Sequence, residues 1–339
     1  MNTKRRATIR DVAKAADVSI ATISKFMNKL QRYSPDVEAR IRRAVDELDY
    51  HQSLATRSLI SGQTRTVILA VQDIQNPFFT NLFRGASRVA LANEYSVLVV
   101  DLQENPSGER SLLEGLSRRA DGLIVVTRLP DTEWLTKLGK SVVMLGPLRH
   151  PGITSINADG QQGAYMLGKH LLETGRRRIA YLGFERDVRK IQGLSAALAE
   201  GGLTPTVHTA FASTLEGGER AASTLLLGDQ RPDAVVCRND LIAIGLMHEA
   251  QALGLRVPDD IAITGFDNIP VARHLQPALT TIDMRSEEQG EIAMQKLLDA
   301  IFQKNTVEDI WLAPHLILRE STRAPIAKSS KAAVIQDVN

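Results

Sequence analysis

The pattern of apolar and polar positions divides the chain into two parts of different period. Within residues 8–49 the apolar residues recur at helical spacing in three short stretches. Thr8 stands where an N-cap belongs, and Ile9, Val12, Ala13 and Ala16 share one helical face. Asp17 and Val18 interrupt that pattern. Ser19 caps a second predicted helix with Ile20, Ile23, Met27 and Leu30 on one side. After the polar stretch Gln31 to Tyr33, Ser34-Pro35 supplies a cap and a proline at the first helical position. The third helix aligns Val37, Ile41, Val45 and Leu48. From Val67 onward, short apolar runs rich in β-branched residues alternate with longer helical patterns. The runs are Val67–Val71, Val97–Val100, Leu123–Val126, Val142–Leu145, Ile179–Leu182, Ala234–Cys237 and Ile261–Ile263. None alternates like a half-exposed strand, so all are expected to be buried parallel strands. The repeated strand–helix order predicts doubly wound α/β layers. Two sets of strands in some 255 residues predict two similar lobes, with ligand between them at the carboxyl ends of the strands.

The predicted fold class is thus a small all-α helix-turn-helix head, joined by a hinge to an α/β core of two doubly wound parallel-sheet lobes. A length of 339 residues accommodates such an arrangement. Charge follows the same division. Residues 1–62 hold 12 Lys and Arg against 7 Asp and Glu, whereas the remaining 277 residues carry a balance of −3. A basic head on a near-neutral body points to a polyanion partner. The outward face of the second helix is small and polar (Ala21, Thr22, Ser24, Lys25 and Asn28), as expected of a helix that enters a DNA major groove.

Other chemistries leave few marks. Cys237 is the one cysteine, which excludes an intramolecular disulfide and fits a reducing cytoplasm. No apolar run approaches the roughly 20 residues of a membrane helix. The basic residues 1–10 lack a following apolar stretch, so no secretory signal and a cytoplasmic location are expected. Aromatic residues are only 4% of the chain, too few for a stacking surface that grips single strands. There is no Gly-x-Gly-x-x-Gly, no phosphate loop and no Gly-x-Ser-x-Gly elbow. The seven histidines form no pair at metal-ligand spacing. No catalytic residue, metal or cofactor is therefore expected. Two rival readings fit the α/β pattern alone: a sugar-binding protein, and a cytoplasmic α/β enzyme without regulatory DNA binding.

The run from Thr8 to Lys25 (Thr-Ile-Arg-Asp-Val-Ala-Lys-Ala-Ala-Asp-Val-Ser-Ile-Ala-Thr-Ile-Ser-Lys) resembles the helix-turn-helix of the lactose/galactose repressor family. Met27-Asn28 and Glu47-Leu48-Asp49-Tyr50 extend the match. Further along, Asn76-Pro77-Phe78-Phe79, Ala120-Asp121-Gly122-Leu123-Ile124, Arg231-Pro232-Asp233-Ala234-Val235, Asn239-Asp240, Val257-Pro258-Asp259-Asp260-Ile261, Gly265-Phe266-Asp267 and Leu279-Thr280-Thr281-Ile282 resemble the same family and the periplasmic sugar-binding fold it shares. The resemblance covers about residues 8–323. It implies a homodimeric transcription regulator, a repressor, that binds a pseudo-palindromic operator in double-stranded DNA and answers to a small-molecule effector, a sugar or sugar acid.

The resemblance also implies roles. Positions matching Ile20, Ala21 and Lys25 face base edges, and those matching Ser19, Thr22, Ser24 and Asn28 serve the DNA backbone or nearby edges. Lys25 stands where arginine is usual, a point donor in place of a planar fork. Residues 53–64 correspond to a hinge that becomes helical on the operator, where Leu59 is a minor-groove wedge. Arg57-Ser58-Leu59 matches, but Gln52 and Thr56 stand where proline and alanine are common. In the cleft, Asn239 and Asp267 face the effector, and Lys190 occupies the place of an arginine. Met284 replaces a polar contact of some members. Phe78 and Phe79 suit stacking on a sugar face or a base, and Asp73 and Arg128 follow strand runs toward the cleft. Lys190 with Arg128 suits a sugar acid; a neutral sugar and a nucleobase fit the remainder. Induction, the release of DNA by effector, is the expected direction. The implied division is a head at 1–52, a hinge at 53–64 and a core at 65–323. Lobe one is expected at 65–158 plus 284–311, lobe two at 159–283 plus 312–323, and a disordered tail at 324–339. That tail has no leucine heptads, so a dimer is expected rather than a tail-made tetramer.

Overall fold

A computed structural model describes residues 7–27, 31–50, 63–127, 131–146, 149–227, 230–303 and 307–324. The expected functional residues Asn28, Leu59 and Arg128 lie outside the described residues, as do residues 53–62 of the expected hinge and 325–339 of the expected tail.

Three helices build the N-terminal head: α1 (Ile9–Ala15), α2 (Ile20–Met27) and α3 (Pro35–Glu47). The Asp11 carboxylate accepts from both the N–H (2.8 Å) and the hydroxyl (2.7 Å) of Thr8, which fixes the start of α1. Between α1 and α2 the chain turns through Asp17 in the left-handed region, with φ +51°. Val12, Ala13, Ala16, Ile23, Ile41, Ala44 and Tyr50 close a small core. Two expectations change here. Ile20, expected to share the buried face of Ile23, is 45% exposed, because a core this small covers only the side of α2 centred on Ile23. Ser34 precedes α3 but makes no side-chain cap; Pro35 opens the helix, and Glu38 accepts the Tyr33 N–H at 3.4 Å.

The core contains two six-stranded sheets. The first is built from β1 (Thr66–Val71), β2 (Ser96–Asp101), β3 (Gly122–Val126), β4 (Ser141–Leu145) and β5 (Thr154–Ala158), with β11 (Asp309–Leu312) returning from far along the chain. Its order is β11-β5-β4-β3-β1-β2, all parallel. Helices α4 (Pro77–Ala92), α5 (Pro106–Ser117), α6 (Glu133–Thr136) and α11 (Ser286–Ile301) belong to it. The second sheet has β6 (Ile179–Gly183), β7 (Thr206–Thr209), β8 (Ala234–Cys237), β9 (Ala262–Phe266), β10 (Thr280–Asp283) and β12 (His315–Ile317). Its order is β12-β10-β9-β8-β6-β7, parallel except for β12 against β10. Helices α7 (Gly160–Glu173), α8 (Val188–Ala199), α9 (Leu215–Leu226) and α10 (Asp240–Ala252) flank it.

Both sheets reverse strand order next to their first strand, at β1/β3 and at β6/β8. Such switch points open crevices beyond the carboxyl ends of the strands. The chain passes between the sheets in the stretches 158–160, 283–286 and 312–315. Hydrogen bonds tie these passages together: the Asp159 N–H donates to the Leu312 carbonyl (3.1 Å), and Arg285 donates to the Ala313 carbonyl (3.4 Å).

All seven apolar runs form strands, but β2 is not buried as expected. It is an edge strand of alternating exposure, with Leu98 42% exposed. β9 starts one residue later than expected and runs on to Phe266. Five further strands (β5, β7, β10, β11 and β12) lie outside the seven runs: β5, β7 and β10 are rich in polar residues, and β11 and β12 are only four and three residues long. In β10, Thr280 and Thr281 are fully buried because their hydroxyls are satisfied internally: that of Thr280 donates to the Arg319 carbonyl (3.1 Å), and that of Thr281 to Asp240 (2.5 Å).

Helices α4 and α11 cross at Gly85 and Gly290. A Cβ at Gly85 would collide with the Glu287 carbonyl, and one at Gly290 with the Leu82 carbonyl. Backbone meets backbone there, and Arg88 pairs with Glu287 and Glu291 across the same contact. Because neither wall is a flexible side chain, Gly290→Ala is expected to destabilise the core by about 1–3 kcal/mol. Urea unfolding checks this: the midpoint should fall with the slope unchanged.

Candidate nucleic-acid face and ligand cleft

The head presents the N-terminal half of α2. Ser19 Oγ accepts the Thr22 N–H at 3.0 Å and lies 2.8 Å from Thr22 Oγ1, so these two hydroxyls organise the start of the helix. Ser19, Ile20, Ala21 and Lys25 are exposed, whereas Thr22 and Ser24 are half-buried. Exposed Ala21 and Lys25 lie one turn apart on α2, and Ile20, 45% exposed, stands in the same first turn, so this end of the helix faces outward.

In the second lobe, the carboxyl ends of β6, β8 and β9 bring charged and aromatic side chains together at the switch point. The Arg238 guanidinium donates to Asp187 Oδ1 (2.5 Å) and to Ser213 Oγ (3.3 Å), and lies 5.2 Å from the Phe184 ring centre. Asp187 also accepts the Tyr181 hydroxyl and the Phe184 N–H, each at 2.9 Å. Lys190 Nζ donates to the Arg238 carbonyl (2.7 Å) and sits 3.9 Å from the centre of the Phe266 ring. Its stem crosses Gly160, where a Cβ would lie 3.4 Å from Lys190 Cγ and Cε.

Asp267 completes the cluster. It has φ +105°, a backbone conformation side chains rarely adopt, directly after β9. Asn76 of lobe one is among the neighbours that favour its charged form. Asn76 itself caps α4 through Oδ1, which accepts the Phe78 N–H at 3.0 Å. Burial, above all, pushes the Asp267 carboxyl up to about 6, with Lys190, Arg238 and Asn76 opposing and Asp283 adding to the rise. Burial and then Arg238 bring the Lys190 ammonium down to about 8, against the pull of Asp267, Asp187 and Asp240. Asp240, fully enclosed, is pushed well above the usual carboxylate range by burial and by Asp267. The cluster offers cationic donors and a carboxylate acceptor beside the half-buried Phe184 ring, the groups that orient a polar ligand with an apolar side.

The expected cleft residues fall into three groups. Lys190 and Asp267 lie in one cluster. Asn239 stands beside it, but its side chain is engaged: Oδ1 accepts the Ile242 N–H (2.9 Å) to cap α10, and Nδ2 donates to the Ser213 carbonyl (3.0 Å). In lobe one, Asp73 Oδ1 accepts the Gln75 N–H (2.9 Å) in the turn after β1. Phe79 is buried in the lobe-one core; Phe78 is half-buried against it, edge-on at 5.2 Å. Sequence reasoning missed Phe184, Asp187 and the inward engagement of Arg238, and saw Asn76 only as part of a motif. The available signal was position: Phe184 and Arg238 are the first residues after β6 and β8.

Among the described residues, no helix is long and apolar enough to cross a membrane, and no group of three His, Cys, Asp or Glu could hold a metal ion.

Asp267 binds its proton more tightly in the folded chain than in the unfolded one, so its charge opposes folding above pH 6 and that cost fades toward pH 4. Asp267→Asn is therefore expected to raise the melting temperature at pH 7.5 and to leave it nearly unchanged at pH 4.5. Paired thermal melts at the two pH values check the sign.

Comparison with known proteins adds independent findings. Residues 8–53 match the bacterial regulatory proteins of the lacI family, and residues 169–322 match the periplasmic binding protein-like domain. The chain is 30% identical over 330 residues to the HTH-type transcriptional repressor PurR of Photobacterium profundum, covering 94% of this chain and 99% of that one. A LacI family transcriptional regulator from Enterococcus faecium, solved with bound ribose, superposes with a TM-score of 0.70 at 28% identity, covering 76% of this chain and 99% of that one. The lac repressor dimer bound to operator and the anti-inducer ONPF superposes with a TM-score of 0.84 over 94% of this chain and 100% of that one; at 22% identity it speaks for the fold alone.

Proposed function

The chain belongs to the lacI family of bacterial regulatory proteins, and from that premise we propose that it is a transcriptional repressor that binds a pseudo-palindromic operator as a homodimer and is controlled by a sugar or sugar acid held between its lobes. One observation carries the reading: the likeness to a repressor runs through head and core together, over 330 residues. A ligand-binding core alone would not need the head, and an enzyme would not need its exposed α2 face. The reading gives the chain no catalytic role and places it in the cytoplasm with its DNA.

On DNA, α2 enters the major groove. Ile20, Ala21 and Lys25 meet base edges, while Ser19, Thr22, Ser24 and Asn28 hold the backbone. Head arginines and lysines add a salt-dependent phosphate contribution. Leu59, in the connector, wedges into the minor groove.

At the cleft, Asp267 accepts from ligand hydroxyls while Lys190 donates to ligand oxygens. Phe184 borders the apolar side. Asn76 of lobe one neighbours Asp267 of lobe two, so a ligand that engages Asp267 acts where the lobes meet. Lobe closure then alters operator affinity, and by linkage operator alters ligand affinity by the same factor.

Two experiments test the reading. The full chain is used to enrich duplexes from a random pool. A shared palindromic sequence is expected; recovery without sequence preference would overturn the regulator reading. With the enriched duplex, Lys25→Ala is expected to relax preference at one base pair per half-site, whereas a uniform loss would move Lys25 to a phosphate. The second experiment measures thermal shifts against ribose, cellobiose, gluconate, ribose 5-phosphate and hypoxanthine. A binder at 100 times its Kd adds roughly 2.7 kcal/mol. If the hit is an acid, Lys190→Met is expected to weaken it about tenfold or more by removing a charge-assisted contact; unchanged affinity would rule out the acid preference.

A further inference from the structure

The chain enters lobe one through Thr64 and Arg65, at the amino ends of β1 and β3, the edge of the sheet opposite the cleft. One carboxylate holds this entry. Asp121 Oδ1 accepts from the Thr64 N–H (2.7 Å) and from its hydroxyl (2.9 Å), and Oδ2 accepts from the Arg65 N–H (2.9 Å). The Asp121 N–H in turn donates to the Thr66 carbonyl (2.8 Å). Arg65 has φ +52°, a left-handed conformation that a non-glycine residue keeps only where its surroundings impose it. They do: its carbonyl accepts the Ser96 N–H (2.9 Å), its guanidinium donates to the Asn93 carbonyl (3.3 Å), and that group lies 5.1 Å from the centre of the Tyr95 ring. Tyr95 is itself buried and edge-on to Phe302.

Starting a strand does not require this much. A parallel strand needs only its ladder partners, yet here three donors from two successive residues converge on one charge and hold a strained bend. The bend fixes the direction in which the preceding chain leaves the lobe. That chain leads to the head.

We propose that Asp121 is a positioning residue of the DNA-binding apparatus: it clamps the connector where it meets lobe one and so sets where each head of a dimer is held. The proposal rests on the reading of the chain as a dimeric DNA-binding regulator. A firm clamp shortens the free connector, which raises the effective concentration of the second head once the first has bound. It also makes the connector follow lobe one. Strands β1 and β3 run from the clamp to the cleft, where Gln72 Nε2 after β1 donates to the Val126 carbonyl at the end of β3 (2.6 Å). A shift of lobe one at the cleft therefore reaches residue 64 without slack.

The test uses the full chain and its Asp121→Asn, Asp121→Ala and Asp121→Glu variants. Each is titrated by fluorescence anisotropy against the enriched palindromic duplex and against the same duplex cut to one half-site. Asn and Ala are expected to weaken the two-half-site complex about tenfold or more and leave the half-site complex within about twofold, with Glu recovering part of the loss. Amide hydrogen exchange on the same proteins is expected to speed up at residues 63–66 and 93–96 and stay slow in β3 and β4. Equal losses on both duplexes, or fast exchange throughout lobe one, would reduce Asp121 to a general structural role and overturn the proposal. Unchanged exchange at Thr64 and Arg65 would overturn the clamp itself. If the parent chain enriches no duplex, the regulator reading fails and the role on DNA fails with it, while exchange still decides whether the clamp exists.

Discussion

A parallel sheet covered by helices on both faces leaves no place for polar chemistry except at the ends of its strands. The central strands obey this strictly: the side chains of Val67 to Val71, Leu123 to Val125 and Ala234 to Cys237 have no exposed surface. Everything that must meet water, ligand or another segment is pushed to one edge or the other. In lobe two the carboxyl edge, at the strand-order reversal, receives the cluster of Asp187, Lys190, Arg238 and Asp267. In lobe one the amino edge receives the connector. The two edges are separated by the length of a strand.

The carboxyl edge of lobe two is assembled against the grain of folding. Asp267 and Lys190 are both drawn toward their neutral forms, Asp267 is held in an unfavourable backbone conformation, and Asp240 is enclosed behind them. None of this stabilises the lobe. A ligand that satisfies the carboxylate and the ammonium removes part of that burden, which is why such a group of residues favours an occupant over solvent. Asn76 neighbours the same carboxylate from the opposite lobe and favours its charged form, so ligand and lobe one act on one group.

Much of this was legible in the residues. The helical spacing of Val12, Ile23 and Ile41 located the head, and each of the seven apolar runs located a strand. The polar strands were not legible, because Thr280, Thr281, Ser155 and Asn157 are buried through partners distant in sequence, such as Asp240 and Asp309. The edge position of β2 was hidden for the opposite reason: its valines look interior although only one side of the strand has a neighbour. In the cleft, the family motif named Lys190 and Asp267, which lie in one cluster. Arg238 and Asp187 were not named, since an ion pair 51 residues apart has no local signature. The fate of Asn239 was equally hidden: an asparagine that caps a helix and one that awaits a ligand look alike in a sequence.

The return of β11 to the first sheet has a consequence for the order of events at the ribosome. Ser155 in β5 meets Asp309 in β11 across 154 residues, and α11 packs against α4 from the same distant segment. Lobe one begins first and finishes nearly last. While the second sheet is being synthesised, the nascent first sheet has an unpaired β5 edge and a bare surface along α4 where Gly85 waits for its partner. A ribosome halted before residue 286 holds an unfinished first lobe, however complete the strands that came before.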